Sequence, residues 1–174
     1  VLILADDLGW TDAGFAGSRF YETPHLDALA AGGMRFTSFY ASPVGLPSQA
    51  ALLTGQYSPR TRVYTGDILP AGETGPAVTF QAGSANLPSL LKGAGYTTGY
   101  IGVWGLGAEG DAHPLRRGFD EAILTTARHI GFEVEPAAEV PSGMHQVDYL
   151  TDRALEFLDR HRDRPFFLEI AHFS

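Results

Sequence analysis

Residues 1–7 read VLILADD, five apolar residues closing on two carboxylates. A continuous apolar run of this length, without polar alternation, marks a strand buried on both faces of a parallel sheet. Tyr96–Val103 and PFFLEIA, residues 165–171, read as further strands, the second as a buried one. Segments with helical spacing lie between them. Thr23-Pro24 supplies an N-cap and a proline suited to the first helical position, Leu26, Leu29 and Ala30 form a stripe, and Gly32-Gly33 end it. A second helix is predicted over 48–54, a third from Leu87 to Gly95, and a long amphipathic one through Val147, Leu150, Ala154, Leu155 and Leu158. Strands alternating with helices predict an α/β fold, a mostly parallel sheet flanked by helices. The predicted strands cover 2–5, 35–40, 98–101 and 166–170. Residues 58–85 and 108–145 read as irregular excursions, with GFDE the clearest local feature of the second. Open α/β sheets place ligands at the C-terminal ends of their strands, so Asp6, Gly45 and 102–107 are expected at one edge.

The length of 174 residues suits one domain with its own core, and 44% apolar with 18% charged residues is a globular composition. A net charge of −8 argues against non-specific nucleic-acid binding, which needs a basic footprint. With no cysteine in the chain, disulfides, thiolate catalysis and cysteine-ligated zinc are excluded. No apolar run approaches the roughly 20 residues that span a bilayer. The chain opens on Val1, inside a strand, with no visible signal peptide.

Several residues are candidates for chemistry. Asp6 and Asp7, two hard oxygen donors at a strand end, suit Ca²⁺ or Mg²⁺, but two carboxylates cannot complete six or more ligands; millimolar affinity at best is expected. Elsewhere the same pair would be a solvated turn. The six histidines, His25, His113, His129, His145, His161 and His172, form no HxH or HExxH pair. His25 and His161 are expected on helix surfaces, and His172, at the end of the last strand, is a possible site-edge residue. The Gly-rich WGLGAEG at 104–110 can cradle an anion but lacks the spacing of a dinucleotide fingerprint and the lysine of a P-loop. Ser48, beside Pro47, is either a nucleophile or a first-turn residue of its helix.

Taken together, VLILADDLGWTDAGFAG, TPHLDALAAGGMRFTSFYASPV, PSQAALLTGQYSPRT, LPSLLKGAGYTTGYIGVWGLG, GFDEAI, DYLTDRALEF and RPFFLEIAHFS resemble, in that order, the N-terminal part of a sulfatase. The resemblance implies the alkaline-phosphatase-like fold, sulfuric ester hydrolysis by formylglycine with a divalent metal, and a sulfate ester or sulfated glycan as substrate. It also implies an extracytoplasmic setting: periplasmic, secreted or lysosomal. Formylglycine arises from Cys or Ser in a Cys-x-Pro-x-Arg motif, which here reads Gly45-Leu46-Pro47-Ser48-Gln49. The family's Gly-Lys-Trp-His-x-Gly motif reads Gly102-Val103-Trp104-Gly105-Leu106-Gly107. Gly45, Gln49, Val103 and Gly105 thus stand where the nucleophile precursor, arginine, lysine and histidine are expected. Asp6 and Asp7 match the paired metal ligands, and Ser48, Trp104 and His172 remain possible site-edge residues.

By this resemblance residues 1–174 form an incomplete N-terminal sulfatase-like domain, because the later site motifs are absent. The strand at 166–170 is then expected to lack a neighbour or a cover. Three functions follow: a catalytically silent sulfatase-family domain, a non-catalytic metal- or sulfated-ligand-binding module, or a weak serine-type phosphohydrolase using Ser48 or Ser42.

Overall fold

A computed structural model of the chain describes residues 1–64, 85–107 and 110–173. Among these the elements run β1 (Leu2–Asp6), α1 (Pro24–Gly32), α2 (Gly45–Thr54), α3 (Ser58–Thr61), α4 (Leu87–Gly93), β2 (Thr97–Gly102), β3 (Glu121–Thr125), β4 (Val134–Glu135), α5 (Gln146–His161) and β5 (Phe166–Phe173). Most of the predicted excursion at 58–85 lies outside the described residues. By its contacts the chain separates into two compact units, one of Val1–Asp6 with the chain from Ser42 onward, the other Asp7–Ala41.

The first unit carries a sheet of order β1-β5-β2-β3-β4. β1 with β5, β5 with β2 and β2 with β3 are parallel, and only β3 with β4 is antiparallel. Side chains of successive strand residues point to opposite faces, which sorts the core into two layers. On one face Tyr100, Leu124, Ala171 and Phe167 pack with Ala50 and Leu53 of α2 and with Val63, Trp104, Leu106 and Phe119. On the other, Ile101, Leu168 and Ile170 meet Tyr149, Leu150, Ala154 and Phe157 of α5. The α5 stripe is the one its sequence spacing predicts.

β5 is an interior strand between β1 and β2, with Leu168 to Ala171 buried. The expectation that it would lack a neighbour is therefore overturned. The edge strands among the described residues are β1 and β4, and Ile3 on β1 is 59% exposed. Apolarity alone does not tell an interior strand from an edge strand with an exposed face.

Three further expectations fail for identifiable reasons. Residues 34–40 form no strand; their aromatic content fits a pleated surface, but no ladder partner pairs with them. β3 lies inside a stretch read as irregular, because EAILT opens on a charge and its strand state is fixed by register against Gly99–Gly102 of β2. His161 is buried rather than on the surface, held against Glu121 Oε1 at 2.7 Å, with Arg160 on the same carboxylate.

In the second unit, Thr23 does not cap α1 through its side chain. Its hydroxyl accepts from Gly14 N (2.8 Å) and donates to Asp27 Oδ1 (2.9 Å), and Asp27 also accepts from Phe15 N (2.7 Å). Arg35 donates to Phe15 O (2.6 Å), closing this polar knot around the turn at Gly14–Ala16.

Candidate functional site

The C-terminal ends of β1 and β2 and the start of α2 meet in the first unit. α2 begins at Gly45, earlier than the predicted 48–54, with Val44 as N-cap and no side-chain cap. Its first N–H groups lack intrahelical partners, and the positive end of the helix dipole favours a nearby anion. Asp6 supplies one: a Cβ built on Gly45 would lie 2.8 Å from Asp6 Oδ2 and 2.9 Å from Oδ1. The two positions are therefore direct neighbours. Asp7 follows in a left-handed backbone conformation (φ 59°), a region that Asp tolerates better than most residues.

Gln49 is buried within the same helix. Its Nε2 donates to Tyr100 Oη at 2.7 Å, and its Oε1 accepts from Gly105 N at 3.4 Å. The Tyr100 hydroxyl in turn donates to Val103 O at 2.6 Å. Val103 N donates to Ala171 O at 3.1 Å, so residue 103 takes part through its backbone. A Cβ built on Gly105 would overlap Leu46 Cδ2 and lie 3.2 Å from Leu46 Cγ. Gln49, Val103 and Gly105 are thus joined with Leu46 and Tyr100 in one closed contact set.

Ser48 Oγ accepts from Ser42 N (3.0 Å) and contacts Ser42 O (3.3 Å) and Val44 O (3.0 Å). It ties the turn before α2 to the helix. Trp104 is a core residue: its Nε1 donates to Gly107 O (2.8 Å) and Ala112 O (3.2 Å), and its ring meets Tyr100 edge-on at 4.9 Å. His172 on β5 pairs in register with Ala5 on β1, and by strand alternation it falls with Leu168 and Ile170 on the α5 side. Its Nδ1 is buried without a hydrogen-bond partner, and burial holds its pKa below the ordinary value.

Three residues of this region escape sequence reasoning. Leu46 looks like any apolar residue in a helix, and Tyr100 like any core aromatic. Glu169 did leave a signal, a carboxylate inside the apolar run FFLEIA. It is fully buried, neither oxygen has a hydrogen-bond partner, and burial pushes its pKa up to about 7. Register sets it beside Tyr100 on β2. The Tyr100 phenol is raised well above its ordinary value, first by burial and then by the Glu169 carboxylate.

The described residues contain no group of three or more His, Asp or Glu side chains placed to hold a metal. Two adjacent carboxylates fall short of the six or more oxygens Ca²⁺ takes. The donor set present among the described residues does not fit the ion the resemblance implies.

A family profile described as Sulfatase matches residues 1–173. The chain belongs to the sulfatase family. Its sequence is 45% identical over 136 residues to the mouse (Mus musculus) N-acetylgalactosamine-6-sulfatase, covering 75% of this chain and 26% of that protein. The chain therefore spans about a quarter of the length of this relative. The structure resembles that of Ps i-CgsB in complex with k-i-k-neocarrahexaose, with a TM-score of 0.83 and 30% identity over 99% of this chain and 44% of the other. The fold is also similar to that of a protein in the alkaline phosphatase superfamily from Vibrio parahaemolyticus (TM-score 0.58, 23% identity, 98% of this chain and 38% of the other). The mostly parallel α/β sheet of this sulfatase-family chain is thus the alkaline-phosphatase-like architecture. Among the described residues no helix is long and apolar enough to cross a membrane.

Proposed function

We propose that this chain is the N-terminal part of a sulfatase-family domain that does not itself hydrolyse sulfate esters. The observation that carries the reading is Gly45 against Asp6: the position aligned with the formylglycine precursor stands at the start of α2, beside a carboxylate, with no side chain to oxidise. Gln49, Val103 and Gly105 reinforce it. None presents a cation or an imidazole, and Gln49 spends its amide on Tyr100 and Gly105. Removing a single preorganised oxyanion donor costs roughly 10²–10³ in rate, and here the nucleophile position and three polar partners differ together.

The ancestral substrate class in this reading is a sulfated glycan or other sulfate ester, in line with the relative named N-acetylgalactosamine-6-sulfatase. An extracytoplasmic setting and a Ca²⁺- or Mg²⁺-dependent ancestor belong to the same reading. A serine-type phosphohydrolase is disfavoured by Ser48, whose hydroxyl is engaged with Ser42 and Val44. A pure binding module has no specific contact in its favour.

The test is release of inorganic sulfate, followed by ion chromatography, from a 6-sulfated N-acetylgalactosamine oligosaccharide and from an aryl sulfate in the presence of Ca²⁺. The blank rate is expected. Sulfate release that disappears in Asp6→Ala would overturn the reading.

A further inference from the structure

The residues that depart from the sulfatase motifs do not leave a hollow site. Leu46 packs against the buried cluster containing Ala50, Leu53, Trp104 and Leu106, and its Cδ2 fills the space that a side chain at 105 would enter. Gln49, one helical turn further on, reaches the same turn with its amide: Oε1 accepts from Gly105 N, and Nε2 donates to Tyr100 Oη, which is bonded to Val103 O. One apolar contact and a short hydrogen-bond chain thus seat α2 on the 103–105 turn. Protein interiors are close-packed, so an added group and the group it meets are energetically coupled.

We propose that Leu46 is the residue that closes the site: it takes the place of a side chain at position 105, so that Leu46, Gly105 and Gln49 form one co-adapted packing unit. A side chain at 105 and a leucine at 46 then exclude each other. An imidazole restored at 105 must displace Leu46 from its packed position, which a smaller residue at 46 would avoid. This deepens the reading of the site as non-catalytic. Its test is thermodynamic, however, so sulfatase turnover would sink that reading and leave this one standing.

The backbone at Gly105 lies outside the left-handed region. An alanine there meets only the packing conflict, without backbone strain. The experiment is a double-mutant cycle in the full protein, with Gly105→Ala, Leu46→Ala and the pair, read as the thermal unfolding midpoint. Gly105→Ala alone is expected to lower Tm by several degrees, and Leu46→Ala alone to lower it through the cavity it leaves. The pair is expected to melt above Gly105→Ala alone. If Gly105→Ala does not fold, the pair still decides: a folded pair supports the proposal and an unfolded pair contradicts it. Additive losses, with the pair melting below both single variants by their sum, would also overturn it.

Discussion

The Asp6 carboxylate lies against Gly45: a methyl group added at 45 would sit 2.8 Å from Asp6 Oδ2. That conflict is with the far end of an exposed side chain, which can turn aside. Gly45 also has ordinary helical geometry, where alanine is the better helix former. Gly45→Ala is therefore expected to change stability by no more than about 1 kcal/mol, measured by urea unfolding. The glycine is thus not required by packing.

Gly102 is the opposite case. It has φ 135°, and a Cβ there would run into the Ala171 carbonyl oxygen in the backbone of β5. Neither strain nor clash can relax without moving β5. Gly102→Ala is expected to cost at least about 3 kcal/mol. A change below 1 kcal/mol in the same urea experiment would contradict this account of the β2 end.

Tyr100→Phe tests the hydrogen-bond chain. The hydroxyl is shared by Gln49 Nε2 and Val103 O, and Tyr100 is fully buried. Removing it leaves a buried donor and a buried acceptor without that partner, at a cost of about 1–3 kcal/mol. Gln49→Leu in the Tyr100→Phe background removes the unmatched Nε2 but also strips Gly105 N of its acceptor, so little of the loss should return.

Glu169 gives the protein a pH dependence of definite sign. Its folded pKa, about 7, lies above the ordinary value of 4.5, so the fold prefers the protonated acid. The contribution is fully present below pH 4.5 and is lost as pH rises through 7. At about 1.4 kcal/mol per pKa unit, the loss is about 3 kcal/mol. His172, held below its ordinary value, acts in the reverse sense and weakens the fold as pH falls below 6.5. The two are separated by comparing the parent with Glu169→Gln: the variant should lose the decline in stability toward pH 8, keep the weakening below pH 6.5 that His172 causes, and be relatively more stable at the alkaline end. Parallel curves would contradict the unpartnered acid.

Much of the frame was legible in the sequence because it rests on local signals. The apolar run of β1, the mostly apolar β5 and the stripe of α5 are strong signals. The rule that ligands gather at strand ends brought Asp6, Gly45 and Gly105 to one edge before any coordinates. What was not legible depends on pairing and contact. Residues 34–40 have the composition of a strand but no ladder partner, whereas EAILT has a weak signal and becomes β3 through its register with β2. That β5 lies inside the sheet, between β1 and β2, is a matter of topology. Leu46 facing Gly105, and Gln49 facing Tyr100, are complementarities between residues far apart in the chain, and neither partner is unusual on its own. Glu169 was visible as a charge in an apolar run, but its lack of a partner was not.

The central claim is that this sulfatase-family chain lacks the chemistry its relatives are named for. Single-turnover kinetics test it most directly, with protein in excess over a 6-sulfated N-acetylgalactosamine oligosaccharide, Ca²⁺ present, across pH 5 to 8. Under these conditions even a very slow catalyst converts its bound substrate once. The account predicts no sulfate release above the protein-free blank at any pH. A burst of sulfate that scales with protein and is abolished by Asp6→Ala would contradict it.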